Sequence, residues 1–273
     1  MSLDSSWETD WHIARACLEW QVEVGVVDAI CDAPIDRYAL DPAPAQRPAL
    51  KPAAKPAPQP GAALPAASAA VDPVAEAEAM AAAAPDLAAL EAALGSYPHC
   101  DLKLGARNLV FCDGRAGARV MIVGEAPGRE EDQRGRPFVG EAGQLLDRMF
   151  AAIGMARDHP DHGQAVYITN ILPWRPPQNR DPSPEERAMM RPFVLRHIEL
   201  AAPDILVLMG RISAMTLLGT KDGITQIRGQ WREVAGRPAL PMLHPAYLLR
   251  NPVAKRETWA DLLDLQARLR TTT

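Results

Sequence analysis

Three side chains capable of acid–base or hydrogen-bonding chemistry lie just past three apolar runs of this 273-residue chain. Gly124-Glu125-Ala126-Pro127-Gly128 follows the run Arg119–Val123, Asn170 follows Val166–Thr169, and His244-Pro245 follows Ala239–Leu243. A carboxylate, an amide and an imidazole brought to one crevice could recognise a polar heterocycle and do acid–base or electrostatic work on it. Any one of them alone reads as an ordinary loop or cap residue. Their shared position, after a strand each time, is what argues for a site.

The elements that must position them are legible from periodicity. A fourth apolar run, Ile205–Met209, joins the three above, and helical patterns at Glu141–Ile153, Pro184–Leu200 and Ser213–Leu218 alternate with them. Continuous β-branched runs separated by helices predict an α/β fold: a three-layer αβα sandwich around a mostly parallel four-stranded sheet. Right-handed crossovers put the carboxyl ends of all the strands on one edge, where open α/β sheets bind ligands. Ser183 followed by Glu186 is a capping-box pattern for the helix beginning at Pro184.

Composition divides the chain further. Residues 41–75 are a Pro/Ala-rich spacer, with 9 of the 26 prolines in 41–73, and such a segment cannot form a packed core. Before it, Trp7, Trp11, Ala14 and Leu18 recur at helical spacing in an N-terminal helical segment within 1–40, whose face could serve a protein partner or dock on this chain's own core. After it come a short helical segment over 76–96, broken at Pro85, and a compact domain from 97 to 273. The net charge of −5 is an average of two unlike regions. Residues 1–99 carry 5 Lys+Arg against 14 Asp+Glu, whereas 100–273 carry 24 against 20, and 21 of those 24 cations are Arg, suited to bidentate phosphate contacts. No apolar run is long enough to span a bilayer, and the start lacks the basic stretch of a signal peptide. The four scattered cysteines (Cys17, Cys31, Cys100, Cys112) make no disulfide framework, so a reducing cytoplasm is expected; a monomer is expected as well.

Five collinear blocks carry a resemblance: RNLVFCDG at 107–114, VMIVGEAPGREED at 120–132, GRPFVGEAGQLLD at 135–147, YITNILPWRPPQNRDPSPEE at 167–186 and LHPAYLLRNP at 243–252. Together they resemble the family 4 uracil-DNA glycosylases of the wider uracil-DNA glycosylase superfamily. The resemblance implies hydrolytic excision of uracil from single- or double-stranded DNA, leaving an abasic site. It implies roles residue by residue: Glu125 positions or activates water, backbone N–H groups at Ala126 help hold the pyrimidine, Phe138 stacks on the flipped base, Asn170 reads its N3–H and O4 edge, and His244 stabilises charge on O2. Arg175 and Arg180 are expected near the DNA backbone. HPAYLLRNP reads either as a wedge loop, with Leu248 and Leu249 entering the base stack and Arg250 meeting phosphate, or as a helix start with its leucines in the core. No lysine lies at the strand-end crevice to form a Schiff base, so a lyase step is not expected.

Family 4 also implies a [4Fe–4S] cluster on four cysteines, and here the sequence departs from the pattern. Its positions hold Cys100, Lys103, Trp174 and Met190. One thiol of four cannot hold a cubane cluster, so no cofactor is expected and the substitutes should pack instead. Asp158-His159-Pro160-Asp161-His162 could suggest a metal site but reads better as a polar turn. No G-x-G-x-x-G or G-K-[ST] supports a nucleotide loop at 124–128. Two other functions compete with the enzyme: a weak or inactive nucleic-acid-binding module of the same fold, and a nucleoside hydrolase. The joint presence of Glu125, Asn170 and His244 argues against the first, and the Arg surplus against the second.

Overall fold

The structure, a computed structural model, describes residues 72–271. The expected N-terminal helical segment and nearly all of the Pro/Ala-rich spacer fall outside them. In chain order the helices are α1 (Pro73–Ala83), α2 (Leu87–Ser96), α3 (Leu102–Gly105), α4 (Arg129–Arg134), α5 (Glu141–Ala151), α6 (Pro184–Ala201), α7 (Arg211–Leu218), α8 (Ile224–Ile227), α9 (Pro245–Arg250) and α10 (Lys255–Thr271). The strands are β1 (Asp113–Gly114), β2 (Val120–Gly124), β3 (Val166–Asn170), β4 (Ile205–Met209), β5 (Arg232–Val234) and β6 (Arg237–Met242).

They form one sheet in the order β1-β3-β2-β4-β6-β5. The central four strands run parallel, as the apolar runs predicted. The sheet is nevertheless six-stranded rather than four-stranded, because β1 and β5 add antiparallel edges. Both edges are too short and polar to have shown a pattern. Alternation along each central strand sends side chains to opposite faces. Met121, Val123, Leu206 and Leu208 meet Val194 and Ile198 of α6 and Leu217 of α7. Val120, Ile122, Val207 and Leu240 meet Leu146 and Phe150 of α5 and Leu262 and Leu265 of α10. Strands buried on both faces thus account for the unbroken apolar runs.

The packed body starts earlier than residue 97. Asp72 and Asp86 cap α1 and α2 by accepting from Val74 N–H at 2.9 Å and Ala89 N–H at 2.8 Å. Ala77, Ala81, Leu90 and Leu94 then join Tyr97, Met190 and Phe193 in a third apolar cluster. The Tyr97 hydroxyl donates to Pro73 O at 2.7 Å, and Arg196 of α6 donates to Ala84 O at 2.8 and 3.1 Å. The segment over 76–96 is therefore part of the packed body and not a separate appendage. Among the described residues no helix is long and apolar enough to cross a membrane.

Candidate active site

The chain leaves β2 for β3 on one side and returns to β4 on the other, so the carboxyl end of β2 is a topological switch point. Gly124 ends β2 opposite Asn170, which ends β3. Pairing continues past both strands: Ile171 N–H donates to Gly124 O and Leu172 N–H to Glu125 O, each at 3.0 Å. That zipper fixes the spacing of Glu125 and Asn170. His244 follows β6 and caps α9, with its Nδ1 accepting from Ala246 N–H at 3.2 Å. An accepting Nδ1 carries the lone pair, so in the neutral ring the proton sits on Nε2.

A pocket of about 440 Å³ opens at this edge, lined by Glu125, Ala126, Phe138, Asn170, Arg180, His244 and Arg250. Seven residues expected from the sequence therefore meet at one cavity. Phe138 is nearly buried, and its ring lies 5.4 Å from the His244 ring at an interplanar angle of 29°. The backbone of Phe138 is left-handed, φ 53°, a conformation that costs a bulky residue about 1–3 kcal/mol and needs its surroundings to hold it.

Electrostatics set the protonation states. Burial raises the Glu125 carboxyl above its ordinary value, Asp181 raises it further, and Arg211 offsets part of that. Asp181 and Arg211 are themselves ion-paired at 2.8 Å. Burial, with the Arg250 guanidinium, pushes His244 down to about 4, so at neutral pH it is an uncharged donor through Nε2.

Other expected contacts came out differently. Leu248 is 1% exposed and packs with Leu145, Leu243 and Ala254, so it cannot enter a base stack. Leu249 is 39% exposed and remains available. The two alternatives for this segment are thus divided between adjacent residues by the geometry of α9. Arg180 is held by Glu186 at 2.6 Å, and Arg175 Nε donates to Asn179 Oδ1 at 2.7 Å and lies outside the pocket lining. The Ser183–Glu186 capping box forms, with Glu186 N–H to Ser183 Oγ at 3.2 Å and Ser183 N–H to Glu186 Oε2 at 2.7 Å. Sequence reasoning missed Glu131, Asp181 and Tyr247, which also line the pocket. All three stand inside or next to the motif blocks, and Glu131 lies in the same GREED run as the glycine loop.

The uracil DNA glycosylase superfamily model matches residues 111–263, which hold every strand of the sheet and the whole strand-end edge. The chain belongs to the uracil DNA glycosylase superfamily. Type-4 uracil-DNA glycosylases are among its relatives. The Thermotoga maritima protein of that name is 42% identical over 156 residues, covering 56% of this chain and 77% of the relative. That of Archaeoglobus fulgidus is 39% identical, covering 59% and 82%, and that of Pyrobaculum aerophilum 36% identical, covering 65% and 91%.

The iron–sulfur positions of this glycosylase superfamily member do not fit a cluster. Cys100, Trp174 and Met190 are buried together in the apolar cluster with Tyr97 and Phe193. Burial pushes the Cys100 thiol up, away from the thiolate that a metal needs. The Lys103 ammonium donates to Tyr97 O at 2.6 Å. One protonated thiol, an ammonium, an indole and a thioether are not a cubane donor set. Among the described residues no group of three or more His, Cys, Asp or Glu side chains could hold a metal ion. The Asp158–His162 segment forms turns, with Asp161 Oδ1 accepting from Gly163 N–H at 2.8 Å.

Proposed function

We infer that the protein excises uracil from DNA by hydrolysing the N-glycosidic bond of a flipped deoxyuridine, releasing free uracil and leaving an abasic site. The observation that carries this is the convergence of Glu125, Phe138, Asn170 and His244 on one pocket at the switch point. A base inside a duplex is inaccessible, so it must be extruded and captured. The Phe138 ring offers a stacking face, and the Asn170 amide can donate to O4 and accept from N3–H. As the C1′–N1 bond breaks, its electron pair leaves with the base and the sugar gains oxocarbenium character. The neutral His244 Nε2–H is the donor for the charge growing on uracil O2, in the manner of an oxyanion hole. The Glu125 carboxylate stabilises the sugar cation, orients water towards C1′ and takes its proton.

DNA would reach the pocket past Arg250 and the exposed Leu249, the first meeting phosphate and the second entering the stack. The chain would work as a cytoplasmic monomer without an iron–sulfur cluster, because apolar packing stands where the thiolates would be.

Uracil release from single-stranded and duplex oligonucleotides tests the reading. Asn170→Ala should lower kcat/KM by about ten- to a hundredfold through loss of the base-edge contacts. Glu125→Gln should lower kcat by about 10²–10⁴. A wild-type protein that releases no uracil under conditions where a control glycosylase works would refute it.

The pH profile carries a separate signature. Glu125 acts ionised, so activity should fall as pH drops through its raised pKa. Arg211 favours the ionised form, so Arg211→Ala should move the acid limb of kcat/KM to higher pH. Asp181 opposes ionisation, so Asp181→Asn should move it to lower pH. Shifts of the same sign in both variants would show that neither charge acts through Glu125.

A further inference from the structure

The left-handed Phe138 sits in a short stretch whose peptide groups are gripped from two sides. On one side Arg157, only 13% exposed, donates from Nη2 to Phe138 O at 2.9 Å and from Nη1 to Pro137 O at 3.2 Å. On the other, Glu131 Oε1 accepts from Val139 N–H at 2.8 Å and Gly140 N–H at 2.9 Å, while its Oε2 accepts from Gly128 N–H at 3.1 Å. Four polar groups of the three consecutive peptides around Phe138 therefore meet one guanidinium and one carboxylate. Glu131 also ties them to the loop that carries Glu125.

Arg157 is itself held rigidly. Asp147 accepts from its Nε at 3.0 Å and from its Nη2 at 2.7 Å, and Asp113 pairs with its Nη1. Asp113 is paired in turn with Arg136 at 2.9 Å. The Phe138 carbonyl also lies close against Gly143 in the first turn of α5, where an added Cβ would stand 1.8 Å from its oxygen. A planar guanidinium can span two adjacent carbonyls while meeting two carboxylates; an ammonium is a point charge and cannot.

We propose that Arg157 is a positioning residue for uracil capture: it locks the Pro137–Phe138 carbonyls so that the Phe138 ring stays set as the stacking face of the pocket. Arg157 is not among the residues that line the pocket, so its effect on a bound base would pass through Phe138. The proposal rests on the reading of Phe138 as the uracil platform.

Arg157→Lys tests it, because it keeps a cation facing Asp113 and Asp147 and removes the fork. Binding of radiolabelled free uracil by equilibrium dialysis is the primary readout, since it does not depend on turnover. Uracil affinity should fall by about tenfold, on the scale of one base–aromatic stack, and kcat/KM should fall with it. Affinity for a uracil-free single-stranded oligonucleotide should stay at the wild-type value. Arg136→Ala, which strips only the outer partner of Asp113, should bind uracil as wild type does. In a Phe138→Ala background, Arg157→Lys should cost no further uracil affinity, whereas a merely structural role would still add its own loss. Undiminished uracil binding by Arg157→Lys, or the same loss with and without Phe138, overturns the clamp while leaving uracil excision intact. A wild-type protein that binds uracil but excises none would instead refute the enzymatic reading alone.

Discussion

A Gly124→Ala variant is expected to lose about a hundredfold or more in uracil excision while remaining folded. Gly124 ends β2 with a backbone outside the left-handed region, so the main chain itself would accept alanine. The obstacle is space. An added Cβ would stand 2.3 Å from Asn170 Oδ1, 2.6 Å from Phe138 Cε2 and 2.7 Å from Phe138 Cζ. Those are the two groups proposed to read and stack the base, and neither is the free end of a flexible chain. Asn170 is fixed by its register opposite Gly124, and Phe138 by its clamped backbone. Relief must therefore come from displacing the ring, the amide or both by up to about an ångström, enough for a loss of that size. Overpacking should cost only about 1–3 kcal/mol of stability. Single-turnover kinetics beside a thermal melt separate the two effects. A variant of wild-type activity would mean that Phe138 and Asn170 do not act where they stand.

The glycine shows how unevenly the site was written in the sequence. Glu125, Asn170 and His244 were legible because each stands at or just past the end of an apolar run, and a parallel sheet collects its strand ends at one edge. Ile205–Met209, read from one apolar run, needed no revision of its bounds. Strands β1 and β5 were not legible, since two or three residues cannot display a period. Arg157 left no local trace: its carbonyl partners lie 19 and 20 residues back and Asp113 lies 44 back, so only the folded chain brings them together. Glu131 reaches amides eight and nine residues ahead through the bend at Phe138. Leu248 and Leu249 could not be told apart by composition, because one helical step turns the first into the core and the second outward. The Ala-rich helices α1 and α2 read the same whether solvated or packed. What decided it was Ala77 and Ala81 lying fully or almost fully buried in the cluster around Phe193 of α6.

Trp174→Ala should lower stability by about 3–5 kcal/mol, the largest folding effect among the changes considered, and metal chelation should lower it not at all. Trp174 is 4% exposed and shares one apolar cluster with Cys100, Met190, Tyr97 and Phe193, so it fills volume between the loop after β3, helix α6 and the segment before α3. If a cluster held these segments together, its ligands would carry the stability, and the indole would be a bystander. The donor set points the other way: the thiol is kept protonated by burial, and Lys103 is spent on the Tyr97 carbonyl. Truncating the indole then leaves a cavity that rigid neighbours can only partly close, and Trp174→Cys should cost nearly as much as alanine without drawing in iron. Urea denaturation of the full chain, which also carries Cys17 and Cys31, gives the stability change. Iron content and the visible spectrum of protein purified without oxygen give the metal. A charge-transfer band with matching iron, together with loss of stability on chelation, would replace packing with a cluster. A loss under about 1 kcal/mol for Trp174→Ala, well short of the usual cost of a buried aromatic, would remove the indole from its structural role.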